Sequence, residues 1–447
     1  DSGDTFTIPA GVTITNNGTQ TGFGRSGSVN WQTSSIKTAT FTAADGEGYF
    51  CNTSGGAFTV NLPAGSAGAI VAIADYTRTF DTYGLTISPN GSEKIGGVAA
   101  DVVLTSQTQT VTLVYVDSTE GWINVQETSS GVKGNDKIVA TGGTETTCGN
   151  FKIHTFTSPG TFTVSQVSDT SAENTVGYLV TAGGGAGGTG YYAGGGGAGG
   201  YREGKNAPVD DFSASPLVAS APTNAITVTA TGYPITVGAG GTASPNDSTA
   251  GGNGSNSIFS SITSAGGGGG GSRCESGPGS PSGPVGARKG GDGGSGGGGT
   301  NSHPVLPTTA GAGNTPPVSP SQGNPGGYGG YGSSGGGAGE AGKNGTPATT
   351  GHDKTGADGV SSSITGSSVT RAGGGGGSSS GTSTPNNAGG AGGGGAGTAN
   401  CGPAPAVAGT SNTGGGGGGG SGNPSSSPFR VGAAGGSGIV IIRYRYQ

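Results

Sequence analysis

The 447-residue sequence has no methionine, three histidines and four cysteines, and only 9% of its residues are Lys, Arg, Asp or Glu. Such scarce charge argues against a solvated, disordered chain. The formal net charge of −6 leaves no basic footprint for nucleic acid. No run of about 18 apolar residues occurs, so no membrane insertion is expected. The histidines, His154, His303 and His352, are scattered, and Cys51, Cys148, Cys274 and Cys401 form no CxxC pair. No zinc or other metal site is therefore expected, while free thiols and a Cys274–Cys401 bridge both stay open. No secretory signal opens the chain, and without Met at position 1 its start is expected to have been lost by processing or truncation. A convincing helical stripe is missing as well.

Glycine is abundant. Of 107 glycines, 83 fall after Thr181, so two different materials meet there. Collagen is excluded because runs such as Gly414–Gly420 violate a strict Gly-X-Y period. Before that point the chain reads as short strands. "TFTIPAGVTIT", "AFTVNLP", "AIVAIADY" and "VTLVYV" show period-two alternation or short apolar runs between turn residues. Trp31 and Trp122 are expected to anchor cores. "FKIHTFTSPGTFTVSQV" predicts a hairpin about Ser-Pro-Gly, with His154 an ordinary strand residue. The boundaries drawn are a β stalk segment over 1–30, a β-rich domain over 31–130, a small joining β unit over 131–181, and a glycine domain over 182–447.

Within the glycine domain, apolar leads such as "VGYLVTAGGG", "SIFSSITSAGGGGGG" and "SSITGSSVTRAGGGGG" run into glycine tracts, and a second tract returns after a polar loop. Asn253–Ser272 and Ala357–Ser378 repeat one another. Glycine costs about 0.5–1 kcal/mol more than alanine to order, so a folded run of it must form something only glycine permits. A polyproline II-like helix has three residues per turn and no internal hydrogen bonds. Its amides need partners on neighbouring helices, reachable only where no Cβ keeps the backbones apart. Ala and Ser are expected where a face looks outward. The expected fold is an all-β N-terminal part followed by a polyglycine II helix sandwich, almost without α-helix. Five out-and-back pairs would give about ten tracts.

The tracts Gly183–Gly188, Gly194–Gly200, Gly266–Gly271, Gly290–Gly299, Gly373–Gly377, Gly389–Gly397 and Gly414–Gly420 resemble those of the tail-fibre tip adhesins of T-even-type bacteriophages. The closing "GGSGIVIIRY" and the front segments "TFTIPAGVTITNNGTQTGFG" and "VTLVYVDSTEGWINVQE" are similar to glycine-rich fibre proteins of aquatic phages. The resemblance implies a virion tail fibre, extracellular, whose rigid sandwich presents distal loops to a host outer-surface protein or glycan. Other phage tail proteins would be partners, and a homotrimer is expected, since a stalk precedes the tip on the same chain.

If the apolar leads mark the base, the loops Thr189–Tyr192, Ser272–Lys289, Ser333–Ser334, Ser378–Asn387 and Ser421–Val431 share the far end. Within them Tyr191, Tyr192, Arg273, Glu275, Arg288, Lys289, Asn386, Asn387, Phe429 and Arg430 offer stacking, charge and amide hydrogen bonds for receptor binding. By the same logic Asn301–Pro320 and Asn400–Thr413 belong at the base.

Glycine density also manufactures motifs. Gly185 to Gly190 matches GxGxxG but lacks the following helix a dinucleotide needs. Gly337 to Asn344 nearly matches a P-loop, with Asn344 in place of the magnesium-binding hydroxyl. Gly332 to Gly336 fits GxSxG without the flanking strand and helix. No enzyme and no cofactor are expected. The rival readings are a polysaccharide-degrading fibre, for which Asp101, Asp117 and Glu120 are the nominal acids, and a purely structural or ice-binding glycine-helix protein.

Overall fold

The computed structural model describes residues 29–128 and 137–446, apart from 169, 191, 208, 223, 276–280, 283–284, 301–308, 330, 346–352, 380–386, 399–403 and 422–429. The chain divides into two compact units, Asp1–Gly134 and Asn135–Gln447.

In the first unit, successive strands alternate between two sheets. One sheet holds, in order, Asn30–Trp31, Glu47–Cys51, Ile70–Asp75, Thr110–Asp117 and Gly121–Thr128. The other holds Phe41–Thr42, Phe58–Asn61, Leu85–Ser88 and Val102–Leu104. The alternation makes the first three strands of each sheet parallel neighbours, and antiparallel pairs close the winding. Tyr49, Cys51, Val60, Leu62, Val71, Ile73, Leu85 and Ile87 fill the space between the sheets, because every second side chain of a strand faces the same way. Trp122 joins this core, fully buried, with its indole N–H donating to Glu93 Oε2 at 3.2 Å. Trp31 does not join it. Its ring lies on the outer face and is 36% exposed, which corrects the expectation of a core anchor.

The second unit is founded on two antiparallel sheets. One runs Thr144–Cys148, Phe151–Phe156, Ile439–Arg445, Thr175–Thr181, Tyr201–Gly204. The other runs Val139–Thr141, Gly160–Gln166, Gly232–Thr236, Ser257–Phe259, Ile262–Ser264. The two strands flanking Ser158-Pro159-Gly160 therefore sit in different sheets, and the hairpin expected there does not form. Phe151–Phe156 pairs instead with the last strand of the chain, so Phe156 and Phe162 meet across the apolar layer with Tyr178, Phe259, Val440 and Ile442. His154 is buried there, its Nε2 3.1 Å from the Tyr444 hydroxyl and its Nδ1 2.8 Å from the Gly142 carbonyl. Burial lowers its pKa, and it is a core residue.

Above this base stands the lattice. From Ala182 to Gly188 the backbone amides donate in rotation to three neighbours. Ala182, Gly185 and Gly188 reach Gly200, Gly197 and Gly194; Gly183 and Ala186 reach Ser255 and Gly252; Gly184 and Gly187 reach Gly436 and Ala433, all at 2.8–3.0 Å. A partner that returns at every third residue is the signature of the three-residue helix. Gly194–Gly200 repeats the rotation toward Ala265–Gly271, Ser333–Gly336 and Gly414–Gly417. Backbones approach so closely that a Cβ on Gly417 would lie 2.6 Å from the Ala434 carbonyl oxygen and nearer still to that of Ala433. The polyglycine II sandwich is present.

Three details differ from expectation. Ala182, Ala186, Ala193 and Ala198 are fully buried within the lattice, so alanine is not restricted to outward faces. Gly290–Gly299 is not one tract. Gly291 and Gly294 donate to Gly269 and Gly266, whereas Gly268 and Gly271 donate to Ser295 and Gly298, so the chain reverses near Gly293. Gly389–Gly397 reverses likewise at Gly392 and Gly393, whose φ values of +100° and +95° suit glycine. The tracts are consequently shorter and more numerous than ten. Asn314 and Thr413, bonded to Gly294 and Ala372, lie at the base, but the tracts ending at Thr300 and Thr398 run outward. Asn301–Pro320 and Asn400–Thr413 are thus not base loops throughout, and 301–308 and 399–403 lie outside the described residues.

Candidate binding face at the far pole

Several outward tracts end in a polar residue whose side chain ties them to others, as at Thr189, Ser378 and Thr398. Thr189 is the hub of one knot. Its amide donates to Ser272 Oγ at 2.7 Å, its hydroxyl donates to the Ser244 carbonyl at 2.9 Å, its Oγ1 accepts from the Gly432 amide at 2.9 Å, and its carbonyl accepts from the Arg273 amide at 3.1 Å. Four bonds fasten three other chain excursions to this one residue. A second knot joins Ser378 to the Ala193 carbonyl, Asn387 Nδ2 to the Thr398 carbonyl and the Thr398 hydroxyl to that of Gly419. The lattice supplies rigidity, and these side chains set where each polar segment departs.

Between the knots lies an aromatic and cationic cluster. Tyr192, half-buried with φ +60°, meets Tyr331 edge-on at 4.8 Å. The Arg273 guanidinium lies 5.6 Å and Lys354 Nζ 5.5 Å from the Tyr192 ring centre, within cation–π range. Lys354 is only 5% exposed. Its ammonium donates to the Ser378 carbonyl at 3.0 Å and to the Tyr331 carbonyl, and burial brings its pKa down to about 8. A buried cation held by carbonyls and a ring pins three separate excursions together.

The residues expected to contact a receptor fall into several groups. Arg273, Arg288 and Asn387 are at this pole but buried, at 3%, 7% and 6% exposure; they brace the face more than they project from it. Lys289 is exposed and pairs with Asp292 at 3.0 Å. Arg430 is half-buried, its amide donating to the Ser421 carbonyl at 3.0 Å. Glu275 lies on a two-residue strand paired with Pro281–Ser282. Tyr191, Asn386 and Phe429 lie outside the described residues. Lys354 and Tyr331 were missed. The doublet of tyrosines in "GGYGGYGSS", just before Ser333, is the signal that could have found Tyr331; a lone lysine offers none.

The GxGxxG match is taken up by the lattice. Gly185, Gly187 and Gly188 give their amides to Gly197, Ala433 and Gly194, so no nest of free donors awaits a pyrophosphate. Among the described residues no cluster of His, Cys, Asp or Glu could hold a metal, and no helix is long and apolar enough to cross a membrane. Cys51 and Cys148 are free thiols.

A family model described as a glycine-rich domain matches residues 155–445, more than half of the chain, and the chain belongs to that family. Comparison with curated proteins finds no match.

Proposed function

We propose that this protein is the distal adhesin of a bacteriophage tail fibre, binding a host cell-surface receptor through polar segments held by the polyglycine II scaffold. It would act in the virion, outside the cell, as a homotrimer joined to other tail proteins. The observation that carries this reading is the convergence of the tract ends on one pole, where Thr189, Ser378 and Lys354 bind separate excursions together. A rigid body that gathers irregular loops at one end suits selective contact, because segments held in place lose little freedom on binding. The test is exchange of residues 276–286 or 380–386 for those of a related fibre, keeping the buried anchors Ser272, Arg273, Arg288, Ser378 and Asn387. Host range should change while thermal unfolding does not. Unaltered adsorption by both exchanged chains would refute the assignment of the face.

A further inference from the structure

Trp31, displaced from the core, belongs to a row of rings on the first unit. Tyr49 and Cys51 point inward, so Phe50 between them points outward. Trp31 stands opposite Gly48 on the neighbouring strand, and its ring lies flat there: a Cβ on Gly48 would be 2.7 Å from the ring. Trp31 and Phe50 have ring centres 5.0 Å apart, and Phe50 and Tyr76 6.4 Å. The Tyr76 amide donates to the Cys51 carbonyl at 2.9 Å, which holds the third ring beside the second. Tyr76 is 55% exposed.

Neutral polar side chains stand beside this row. Asn52 Oδ1 accepts from the Ser54 amide at 2.9 Å, the Ser54 hydroxyl at 2.7 Å and the Thr77 hydroxyl at 3.1 Å. Those bonds fix the Asn52 side chain, and its amide nitrogen has no partner among the described residues. Gln32 stands beside Trp31. The Lys37 ammonium turns instead over Phe41 and Tyr49, at 5.1 and 5.5 Å from their ring centres.

We infer that Trp31, Phe50 and Tyr76 form a platform for a neutral glycan. The C–H face of a pyranose ring packs on an aromatic face, while its hydroxyls accept from a fixed amide such as that of Asn52. Size favours a narrow ligand. Whole aromatic side chains bury roughly 150–250 Å², so three partly covered rings offer on the order of 250 Å², well short of the about 800 Å² per partner that a stable protein interface uses. This platform lies in the first unit, does not depend on the far pole, and stands or falls separately from the adhesin reading.

The sequence has two tryptophans and Trp122 is fully buried, so Trp31 reports its own surroundings. The full chain is run on native gels containing soluble starch, dextran, mannan or mixed-linkage β-glucan, and its tryptophan emission is followed with the same polymers. The expected result is retardation by at least one of them, with protection of Trp31 from acrylamide quenching. Trp31→Ala and Tyr76→Ala should each weaken apparent affinity about tenfold, the equivalent of one lost aromatic contact. Val407→Ser, at an exposed position of the second unit, should bind as the parent does. Should Trp31→Ala fail to fold, Tyr76→Ala, checked by its melting curve, carries the test. Retardation by none of the four polymers, only by anionic alginate, or undiminished in folded Tyr76→Ala would overturn the inference.

Discussion

Placing one methyl group inside the lattice tests its physics directly. Gly417 donates to the Gly185 carbonyl at 2.9 Å, and its own carbonyl accepts from Gly196 at 2.8 Å. A Cβ there would sit 2.6 Å from the Ala434 carbonyl oxygen, a separation that no rotamer relieves, because both sides are backbone. The tract from Gly414 to Gly420 must shift. Gly416 and Gly418, bonded to Gly373 and Val407, would move with it. Losing four such bonds at about 0.5–1.5 kcal/mol each costs roughly 2–6 kcal/mol, against a whole-domain stability of about 5–15 kcal/mol. Gly417→Ala should therefore lower the melting temperature of the second unit by roughly 10 °C, using about 2–4 °C per kcal/mol at this size. Gly417→Val should melt lower still or not fold. Gly160→Ala is the control, since a Cβ there makes only ordinary contact, 3.4 Å from the Phe156 ring. Calorimetry on the three variants decides the matter. If Gly417→Ala melts with Gly160→Ala, close packing of bare backbones is not what stabilises the unit.

Other consequences can be measured on the same preparation. Lys354 binds its proton less tightly when folded, with a pKa of about 8 against 10.5, so the unfolded chain holds more protons between those values. Stability should rise with pH across that window, by at most roughly 3 kcal/mol, and Lys354→Met should remove that part of the slope in urea titrations. Asp210, raised by burial to about 6 from 3.8, runs the other way. Its folded form keeps a proton that the unfolded chain has released, so stability should fall as pH rises from about 4 to 6, and Asp210→Asn should flatten that stretch. Arg443 is 1% exposed, paired with Asp211, bonded to the Ile364 carbonyl at 3.1 Å and stacked 4.2 Å from the Phe151 ring centre. Arg443→Ala should cost about 3–5 kcal/mol in chemical unfolding, because it strands the buried Asp210 carboxylate 3.8 Å from Arg443 Nε; the Asp211 side chain is 68% exposed and contributes little of that. Thr189→Val keeps shape but strands the Gly432 amide and the Ser244 carbonyl, and should cost about 1–3 kcal/mol.

The lattice could be read from the sequence because it follows from what glycine lacks: unpaired amides and no Cβ leave one ordered solution. The leads were legible too, since "VGYLVTA" and "SSITS" switch from apolar period to glycine where strands end. Where the chain turns within a tract was not legible. Gly293 and Gly392 are glycines among glycines, and composition does not distinguish a straight run from a reversal. The hairpin at Ser158-Pro159-Gly160 failed for another reason: local turn chemistry was right, but Ile439–Arg445, far away in sequence, took the partner strand's place. Trp31 misled because size argues for burial, and nothing in the sequence revealed that Gly48 would lie beneath its ring. At the far pole the polar loop residues were identifiable by type, but type does not say whether Arg273 and Asn387 project or brace.

The seat of Ile439–Arg445 between Phe151–Phe156 and Thr175–Thr181 constrains how the molecule is made. Its neighbours emerge from the ribosome hundreds of residues earlier; His154 and Tyr444 are separated by 290 positions. The base therefore has an empty central place until Ile439–Arg445 has been made, and its slow, long-range closure must wait for that strand. A nascent chain interrupted anywhere in the glycine region lacks Ile439–Arg445 and so has no finished foundation under its lattice.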